Sequence, residues 1–443
     1  MKKVITYGTY DLFHEGHYNL LKNAKALGDY LVVGVTSDYF DKSRGKFNVR
    51  DSLMTRIDNV RATGFADEIV VEEYYGQKID DIKRLGIDVF TVGSDWVGYF
   101  DYLNEYCQVH YLPRTEGISS TKIRNTNNMR MGIVGNENIL DRFLQEFKFV
   151  SGAEIVGAYT PTGAVGEYQS KHFSDLPLFD SFEALLEEVD ALYINAPLSM
   201  RSELIDQGLD AKKHILTEFP FSTDLKKATA LFEKADSLGL TLMEGLKTAF
   251  SPAFGKLVAM ARSGQIGKII NIDANFTQVL GASLENQKRI AGGSVLSLGS
   301  YPLLAIFKLL GTKYKKLDFI SYEHEDIDAM TKMNFIYEDA IASGTVAINA
   351  KAEGDLVISG TKGYIYVPAP WWKTEFFELR FEDLNANRKY FYKFEGEGLR
   401  YELVEFLSCI RENRESFLMG RENSLAAVKV MEAFVKKEGV TII

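Results

Sequence analysis

The chain has little of what staples small secreted domains or builds thiolate metal sites. Its 443 residues include two cysteines, Cys107 and Cys409, far apart in the sequence. No disulfide framework and no metal-ligand spacing follows from them, and they read as reduced thiols of a cytoplasmic protein. No run approaches the ~18 apolar residues of a membrane span. The apolar stretch after Met1-Lys2-Lys3 is too short for a signal peptide, so the protein is expected to stay where it is made. Positive charge is not in excess either. The formal net charge of -10 argues against a large nucleic-acid or anionic-membrane footprint. Short-period repeats and low-complexity linkers are missing as well.

What is there is enough chain for two or three domains, each with its own core. Val4 to Tyr7 and Tyr30 to Val35 read as buried strands, as do Ile87 to Val92 and Gln108 to Leu112. A turn from Asp11 to His17 leads to a helix over Tyr18 to Leu27. Further helical stretches cover Ser52 to Thr63 and Gly76 to Leu85. Such alternation predicts a parallel sheet with helices on both faces. After the polar break at Thr126-Asn127-Asn128 the pattern restarts. Strands are expected at Arg130 to Val134, Ala153 to Tyr159, Ala191 to Asn195 and His214 to Thr217, with a helix at Ile139 to Phe147. From about Ser251, long alternating segments predict a large, mostly antiparallel sheet. Helices are expected beside it at Pro252 to Ser263, Val295 to Leu310, Arg400 to Asn413 and Arg421 to Glu438. The expected domains are 1–127, 129–250 and 251–443. The fold class is α/β: a Rossmann-like nucleotidyltransferase fold, a Rossmann dinucleotide-binding-like domain, then an α+β domain.

The densest constellation is Gly8-Thr9-Tyr10-Asp11-Leu12-Phe13-His14-Glu15-Gly16-His17, between a strand and a helix. A helix N-terminus offers unpaired N–H groups and a positive dipole end to a phosphate. Two histidines three apart around a glycine can aim both imidazoles at one point, where they donate to phosphoryl oxygens as charge shifts. Their bland alternative is two surface histidines near a helix cap. A second segment, Arg114-Thr115-Glu116-Gly117-Ile118-Ser119-Ser120-Thr121-Lys122-Ile123-Arg124, follows another strand. Its hydroxyls, glycine and three cations make a second phosphate cradle. Taken alone it could be a Ser-capped helix with solvated charges. In a parallel sheet both turns lie at the carboxyl edge, where ligands bind.

With both motifs in view, residues 1 to about 125 resemble the glycerol-3-phosphate cytidylyltransferase family, with its His-x-Gly-His and Ile-Ser-Ser-Thr-x-x-Arg signatures. The resemblance implies that His14 and His17 bind the triphosphate of CTP and stabilise the α-phosphoryl transition state. It implies that Thr9 and Asp11 order the first loop, that Lys46 and Arg114 reach phosphates, and that Asp95 lies on the polyol or nucleotide side. Thr115, Ser119, Ser120 and Arg124 would hold the triphosphate and the acceptor phosphate, with Mg²⁺ as the partner of CTP. The expected substrates are CTP and a small polyol phosphate, glycerol 3-phosphate first among them. The product would feed a cell-wall or capsule polymer. Two departures touch the acceptor region. Gly64-Phe65-Ala66-Asp67-Glu68 lacks the family's Arg, with Arg61 one helical turn earlier, and Gly93-Ser94-Asp95-Trp96 is one carboxylate short.

In the rest of the chain, Met131-Gly132-Ile133-Val134-Gly135 is a strand running into a glycine turn. Gly132 and Gly135 are the candidate NAD(P) contacts, yet Glu137 stands where a dinucleotide fingerprint wants its second glycine. The order of elements resembles the glucose-fructose oxidoreductase, inositol dehydrogenase and MocA group, from about Met129 to the C-terminus. The group's Glu-Lys-Pro is Glu218-Phe219-Pro220 here, its Asp is Ser297 and its His is Tyr301, although a branch of the group resembling dihydrodiol dehydrogenases has Tyr there. Lys247 is a candidate substitute cation. Two readings compete: a repurposed fold without the usual catalysis, or an active dehydrogenase making the polyol phosphate. A non-catalytic nucleotide sensor is the alternative of a different class. Trp371-Trp372 reads as a buried sheet edge, a sugar site or an oligomer face. By analogy with the group's open sheet, a homo-oligomer is expected.

Overall fold

The computed structural model describes residues 1–44, 46, 49–113, 128–135, 137–161, 176–279, 292–392, 394 and 396–443, without the side chains of 43 and 137–140. The chain divides into two compact units: Met1–Asn128 with Phe149–Ala153, and Met129–Lys148 with Glu154–Ile443. It is an α/β protein with two Rossmann-like sheets and a third, mixed sheet.

The first unit holds β1 (Lys3–Gly8), β2 (Tyr30–Thr36), β3 (Glu68–Glu72), β4 (Val89–Gly93) and β5 (Gln108–Leu112) in the order β3-β2-β1-β4-β5. All neighbours are parallel. The connecting helices are α1 (Glu15–Lys25), α2 (Asp38–Ser43), α3 (Leu53–Ala62) and α4 (Gln77–Leu85). Alternate residues of one strand feed two cores. Val4 packs with Leu21, Ala24, Ile57 and Val60, whereas Ile5 packs with Ile82, Phe90 and Leu103. This is why β1 carries apolar residues toward both faces and why helices cover both. Because β2 and β4 flank β1, the strand order reverses at β1, and its carboxyl end is the switch point where ligands bind in such sheets.

Helix α1 starts at Glu15, three residues before the expected Tyr18. The sequence pattern hid this because the cap is a histidine. His14 Nδ1 accepts from the Gly16 N–H at 3.1 Å, so His14 does the work of a capping Ser or Asp.

In the second unit, β6 (Met129–Gly135), β7 (Ala153–Tyr159), β8 (Ala191–Asn195), β9 (His214–Glu218) and β10 (Leu242–Gly245) form a sheet ordered β10-β9-β8-β6-β7. Helices α5 (Glu137–Phe147), α6 (Phe182–Glu188), α7 (Leu198–Asp210) and α8 (Leu225–Ser237) accompany it. After the one-turn α9 (Lys247–Phe250) and α10 (Pro252–Arg262), nine strands make the third sheet. They are β11 (Ile269–Thr277), β12 (Lys316–His324), β13 (Ile327–Ile336), β14 (Ile341–Ala347), β15 (Leu356–Gly360), β16 (Tyr364–Val367), β17 (Phe376–Arg380), β18 (Arg388–Phe391) and β19 (Val440–Ile442). Pairing is antiparallel except for β11 with β14 and β12 with β19. The single helix expected over Val295 to Leu310 is two, α11 (Ser294–Leu298) and α12 (Ser300–Leu310). Pro302 has no N–H to give the Leu298 carbonyl, so the ladder is interrupted there. Two long helices end the unit, α13 (Leu399–Glu412) and α14 (Arg421–Val435). Among the described residues no helix is long and apolar enough to cross a membrane. Both cysteines are free thiols.

Candidate functional site

The loop from β1 to α1 is tied down from beneath. Asp11 is 2% exposed, and its Oδ1 accepts from the N–H groups of Arg50 and Asp51, both at 2.9 Å. Asp51 returns the contact by accepting from the Leu12 N–H at 3.0 Å. Tyr10 (φ 56°) and Leu12 (φ 48°) on either side are left-handed without being glycine. That conformation costs roughly 1–2 kcal/mol per residue, so this clasp holds a strained turn in one shape. Asp11 therefore serves the loop's geometry.

Above the clasp stand the two histidines. Their rings stack with centroids 3.9 Å apart and an interplanar angle of 18°. Because Nδ1 of His14 accepts from Gly16, the ring proton of neutral His14 belongs on Nε2. His17, in the first turn of α1, lies edge-on to Tyr10 at 5.4 Å. Both imidazoles thus sit at the amino end of a helix and the carboxyl end of the switch-point strand. Lys46 reaches the same loop, with Nζ 3.3 Å from Thr9 Oγ1. Thr9 in turn donates to Asp41 Oδ1 at 2.9 Å. Burial pushes the Asp41 carboxyl up, while Lys46 and Arg44 pull it back.

Arg56 was invisible as a site residue. It is fully buried and donates to the carbonyls of Thr9 (2.7 Å), Thr36 (2.8 Å) and Asp51 (3.1 Å). It also pairs with Asp38 and, at 3.8 Å, with Asp41. One guanidinium therefore joins the histidine loop, the end of β2 and the start of α3. The available signal was a cation beside Ile57 and Val60, the apolar positions of α3. A second buried cluster adjoins it. Glu72 accepts from Thr36 Oγ1 at 2.8 Å and pairs with Lys78. Burial lowers the Lys78 pKa, and its ammonium lies over the Tyr7 ring at 4.6 Å.

Asp95 follows β4 on the exposed rim of the same edge. Arg61 pairs with Asp58 at 2.6 Å on the exposed surface. Arg114, Thr115, Ser119, Ser120 and Arg124 lie outside the described residues. The chain leaves toward them from β5 at Leu112, on the same carboxyl edge.

In the second unit, β6 runs into α5 within one residue, bringing a helix N-terminus to the strand end. Gly132 has a packing reason to be glycine: a Cβ there would stand 2.9 Å from a methyl of Leu185. Gly135 is buried at the strand end. At the end of β9, Glu218 accepts from the Tyr193 hydroxyl. Arg201 holds that end by donating to the carbonyls of Glu218 (3.2 Å), Pro220 (2.6 Å) and Ala196 (2.6 Å). Phe219 is buried. Ser297 turns back to its own helix, donating to the Gly293 carbonyl at 2.6 Å. Tyr301 packs edge-on to Phe276 at 4.8 Å, and its hydroxyl pKa is raised by burial and then by the charges of Glu218 and Glu402. Glu402, on α13, lay outside the sequence reading altogether. Trp371 is fully buried and donates to the Asn275 carbonyl at 2.9 Å, the role of a buried sheet edge.

Residues 5–126 match a family model described as cytidylyltransferase-like. Residues 129–246 match one for the oxidoreductase family with an NAD-binding Rossmann fold, and 254–366 match the GFO/IDH/MocA C-terminal domain. A glycerol-3-phosphate cytidylyltransferase of Bacillus spizizenii is 50% identical over 129 residues, covering 28% of this chain and 95% of the relative. A scyllo-inositol 2-dehydrogenase (NADP(+)) of Bacillus subtilis is 25% identical over 333 residues, 70% of this chain and 98% of the relative. Among solved structures, a 3-ketoreductase from Actinomadura kijaniata in complex with NADP and TDP-benzene shares the fold of the second unit. Its TM-score is 0.63 at 21% identity, over 72% of this chain and 99% of that one. The chain belongs to the glycerol-3-phosphate cytidylyltransferase family through its first 126 residues, fused to a GFO/IDH/MocA oxidoreductase domain.

Proposed function

We propose that residues 1–126 transfer CMP from CTP to glycerol 3-phosphate, giving CDP-glycerol and pyrophosphate. The observation that carries this reading is the stacked His14–His17 pair at the start of α1. An acceptor phosphate oxygen attacks the α-phosphorus of CTP in line, and the bond from that phosphorus to the β-phosphate oxygen breaks. A phosphate monoester is already ionised near pH 7, so the step needs placement and charge neutralisation, not a general base. His14 and His17 donate to the α-phosphoryl oxygens. Lys46 meets the triphosphate from beside Thr9. Arg114, Thr115, Ser119, Ser120 and Arg124 close the cradle, and Asp95 faces the polyol or nucleotide. Mg²⁺ fits as the counter-ion of the triphosphate. Among the described residues no three His, Cys, Asp or Glu side chains stand together as a metal site, so phosphate oxygens would be its main ligands. Pyrophosphate release from CTP, assayed against a panel of polyol phosphates, tests the proposal. Glycerol 3-phosphate should be the fastest acceptor. Tight CTP binding with no productive acceptor would favour a nucleotide sensor.

A second reading concerns residues 129–443: binding of NAD(P) and reduction of a carbonyl compound to the polyol phosphate that the first unit activates. It is supported by the start of α5 at Glu137 close after the end of β6 at Gly135, which brings a helix N-terminus to a strand end, the kind of place a pyrophosphate can bind. The NADP named for the relatives points the same way. Glu137 opposes a tight approach, so the affinity should be modest. When bound, the dinucleotide supplies hydride to the carbonyl carbon. This chain's side chains must supply the proton. Isothermal titration with NAD(H) and NADP(H) decides, and no binding at millimolar cofactor would sink it.

A further inference from the structure

The second unit holds a cavity of about 260 Å³ beside β10, the edge strand of its parallel sheet, between the end of α8 and the connection from α13 to α14. Its exposed lining residues Asp236 and Gly239 precede β10, so it opens toward the amino end of that strand. A dinucleotide binds such sheets at the carboxyl ends of the strands, which makes this a different place. Phe232, Leu240, Met243 and Met419 give the cavity apolar walls. Two buried polar atoms of the lining have no hydrogen-bond partner among the described residues: Glu244 Oε2 and Arg421 Nε.

Glu244 is 1% exposed. Its other oxygen is taken, since Oε1 accepts from the Phe221 N–H at 2.9 Å. Ser424 and Arg201 favour its charge, but neither gives Oε2 a hydrogen bond. Arg421 commits Nη2 to both oxygens of Asp236, at 2.6 Å each, and its guanidinium lies over the Phe232 ring at 5.2 Å. Its backbone N–H donates to Glu415. Arg414, the other cation of the lining, pairs with Glu405 at 2.9 Å and with Glu412 at 2.6 Å. A buried donor or acceptor without a partner costs about 1–3 kcal/mol. Here one acceptor and one donor of that kind line the same cavity.

These partners select the ligand. An anion finds no uncommitted cation, because both arginines already face carboxylates. An ammonium answers Glu244 but offers Arg421 Nε no lone pair. Both atoms are met by an uncharged group with an N–H beside a lone pair. The apolar walls and the flat Arg421–Phe232 pair suit a ring. We infer that this cavity binds a small uncharged nitrogen heterocycle bearing an amine, with the amine donating to Glu244 Oε2 and a ring nitrogen accepting from Arg421 Nε. The edge of an aminated nucleobase carries that pattern. No residue of the cavity serves either reaction proposed above, so the ligand is held there and not converted.

Isothermal titration of the full chain with 4-aminopyrimidine and with pyrimidine, which lacks the amine, tests this. At about pH 8 Glu244 is ionised and Oε2 is an acceptor, since burial raises its pKa to about 7. Wild type should bind 4-aminopyrimidine about 10-fold more tightly than pyrimidine. Glu244→Gln keeps an acceptor for the Phe221 N–H and turns an NH2 group to the cavity. It should weaken 4-aminopyrimidine about 10-fold and leave pyrimidine within about 2-fold. Arg421→Lys keeps a cation for Asp236 but has no Nε, so it should weaken both rings. No saturable heat from 4-aminopyrimidine at millimolar concentration overturns the inference, with water as the partner of both atoms. Binding undiminished in Glu244→Gln puts the ligand elsewhere on the chain and overturns it as well. Equal weakening of both rings by Glu244→Gln would mean that Glu244 only shapes the wall, against the inference. Tighter binding of benzylammonium than of 4-aminopyrimidine would replace the uncharged ring by a cation and overturn the ligand class.

Discussion

The two units differ in how they bury some of their carboxylates, although both also contain buried ion pairs, Glu146 with Arg400 in the second. At the carboxyl edge of the first, two buried carboxylates are met by cations, Asp41 by Arg44 and Arg56 and Glu72 by Lys78, while Asp11 is held by backbone N–H groups. In the second unit Glu244 and Glu402 are buried with no cation within ion-pair distance among the described residues. Paired charges fix a geometry, whereas unpaired carboxyls store protons. On the proposed function, the first edge holds a polyanion still during a transfer that needs no proton. In the second, Glu244 and Glu402 are the buried carboxyls whose protons burial favours.

If pairing is what shapes the first edge, removing its central cation should do the most damage. Arg56→Met removes a partner from Asp38 and from the buried Asp41 and strips the carbonyls of Thr9, Thr36 and Asp51 of a donor. Breaking a buried pair in this way costs roughly 3–5 kcal/mol. The expected outcome is a first unit that melts well below wild type, with cytidylyl transfer lost. Denaturant unfolding followed alongside pyrophosphate release checks both. A melting transition within experimental scatter of wild type would show that the network is dispensable.

The histidines probe function without the fold. His14→Ala or His17→Ala should lower kcat by about 100- to 1,000-fold, as loss of one oxyanion donor does elsewhere. His14 carries a second role that His17 lacks, because its Nδ1 caps α1. His14→Ala should therefore also lose about 1 kcal/mol of stability, and His14→Asn should return that stability but not the turnover. Near-normal turnover in both alanine variants would refute the site.

The second unit has the complementary test. Glu244 accepts from the Phe221 N–H at 2.9 Å, and burial raises its pKa from 4.5 to about 7. A carboxyl whose folded-state pKa is raised stabilises fully below its unfolded value and loses that contribution as pH rises through the folded one. The unit should thus become less stable between about pH 4.5 and 7, by on the order of 3 kcal/mol from this group alone. Glu244→Gln keeps the acceptor and removes the titration, so its melting temperature should be flatter over that window. An unaltered pH slope would show that Glu244 is not the stored proton.

How far the sequence disclosed this depended on how local each feature is. The strands β1, β2, β4 and β5 are short apolar runs bounded by turn residues, and were legible as such. His14 and His17 were legible because one turn of chain holds them. The start of α1 was not, because histidine is an uncommon cap. Arg56 has no local signature, since its partners lie in Thr9, Thr36, Asp38 and Asp41. Their meeting is a property of the parallel sheet. Glu402 reads as the polar side of an amphipathic helix, yet every residue from Leu399 to Cys409 is buried. Strand β10 is four residues long, too short to announce itself, and without it neither Glu244 nor Gly245 could be set beside β9.

The smallest expected effect separates two accounts of Lys46. Thr9 Oγ1 receives the Lys46 ammonium at 3.3 Å while donating to Asp41 at 2.9 Å, so one hydroxyl couples Lys46, proposed to meet the triphosphate, to a buried acid. Thr9→Val keeps the shape and removes both bonds. The cost should be about 1 kcal/mol, read as a roughly 5-fold rise in KM for CTP with little change in kcat. If Thr9 acts by aiming Lys46, then Thr9→Val should add almost nothing in a Lys46→Ala background, because the aimed group is already gone. If the two losses instead add, the hydroxyl serves Asp41 and the buried network, and the first edge is held from beneath by Arg56 with Lys46 merely resting on it.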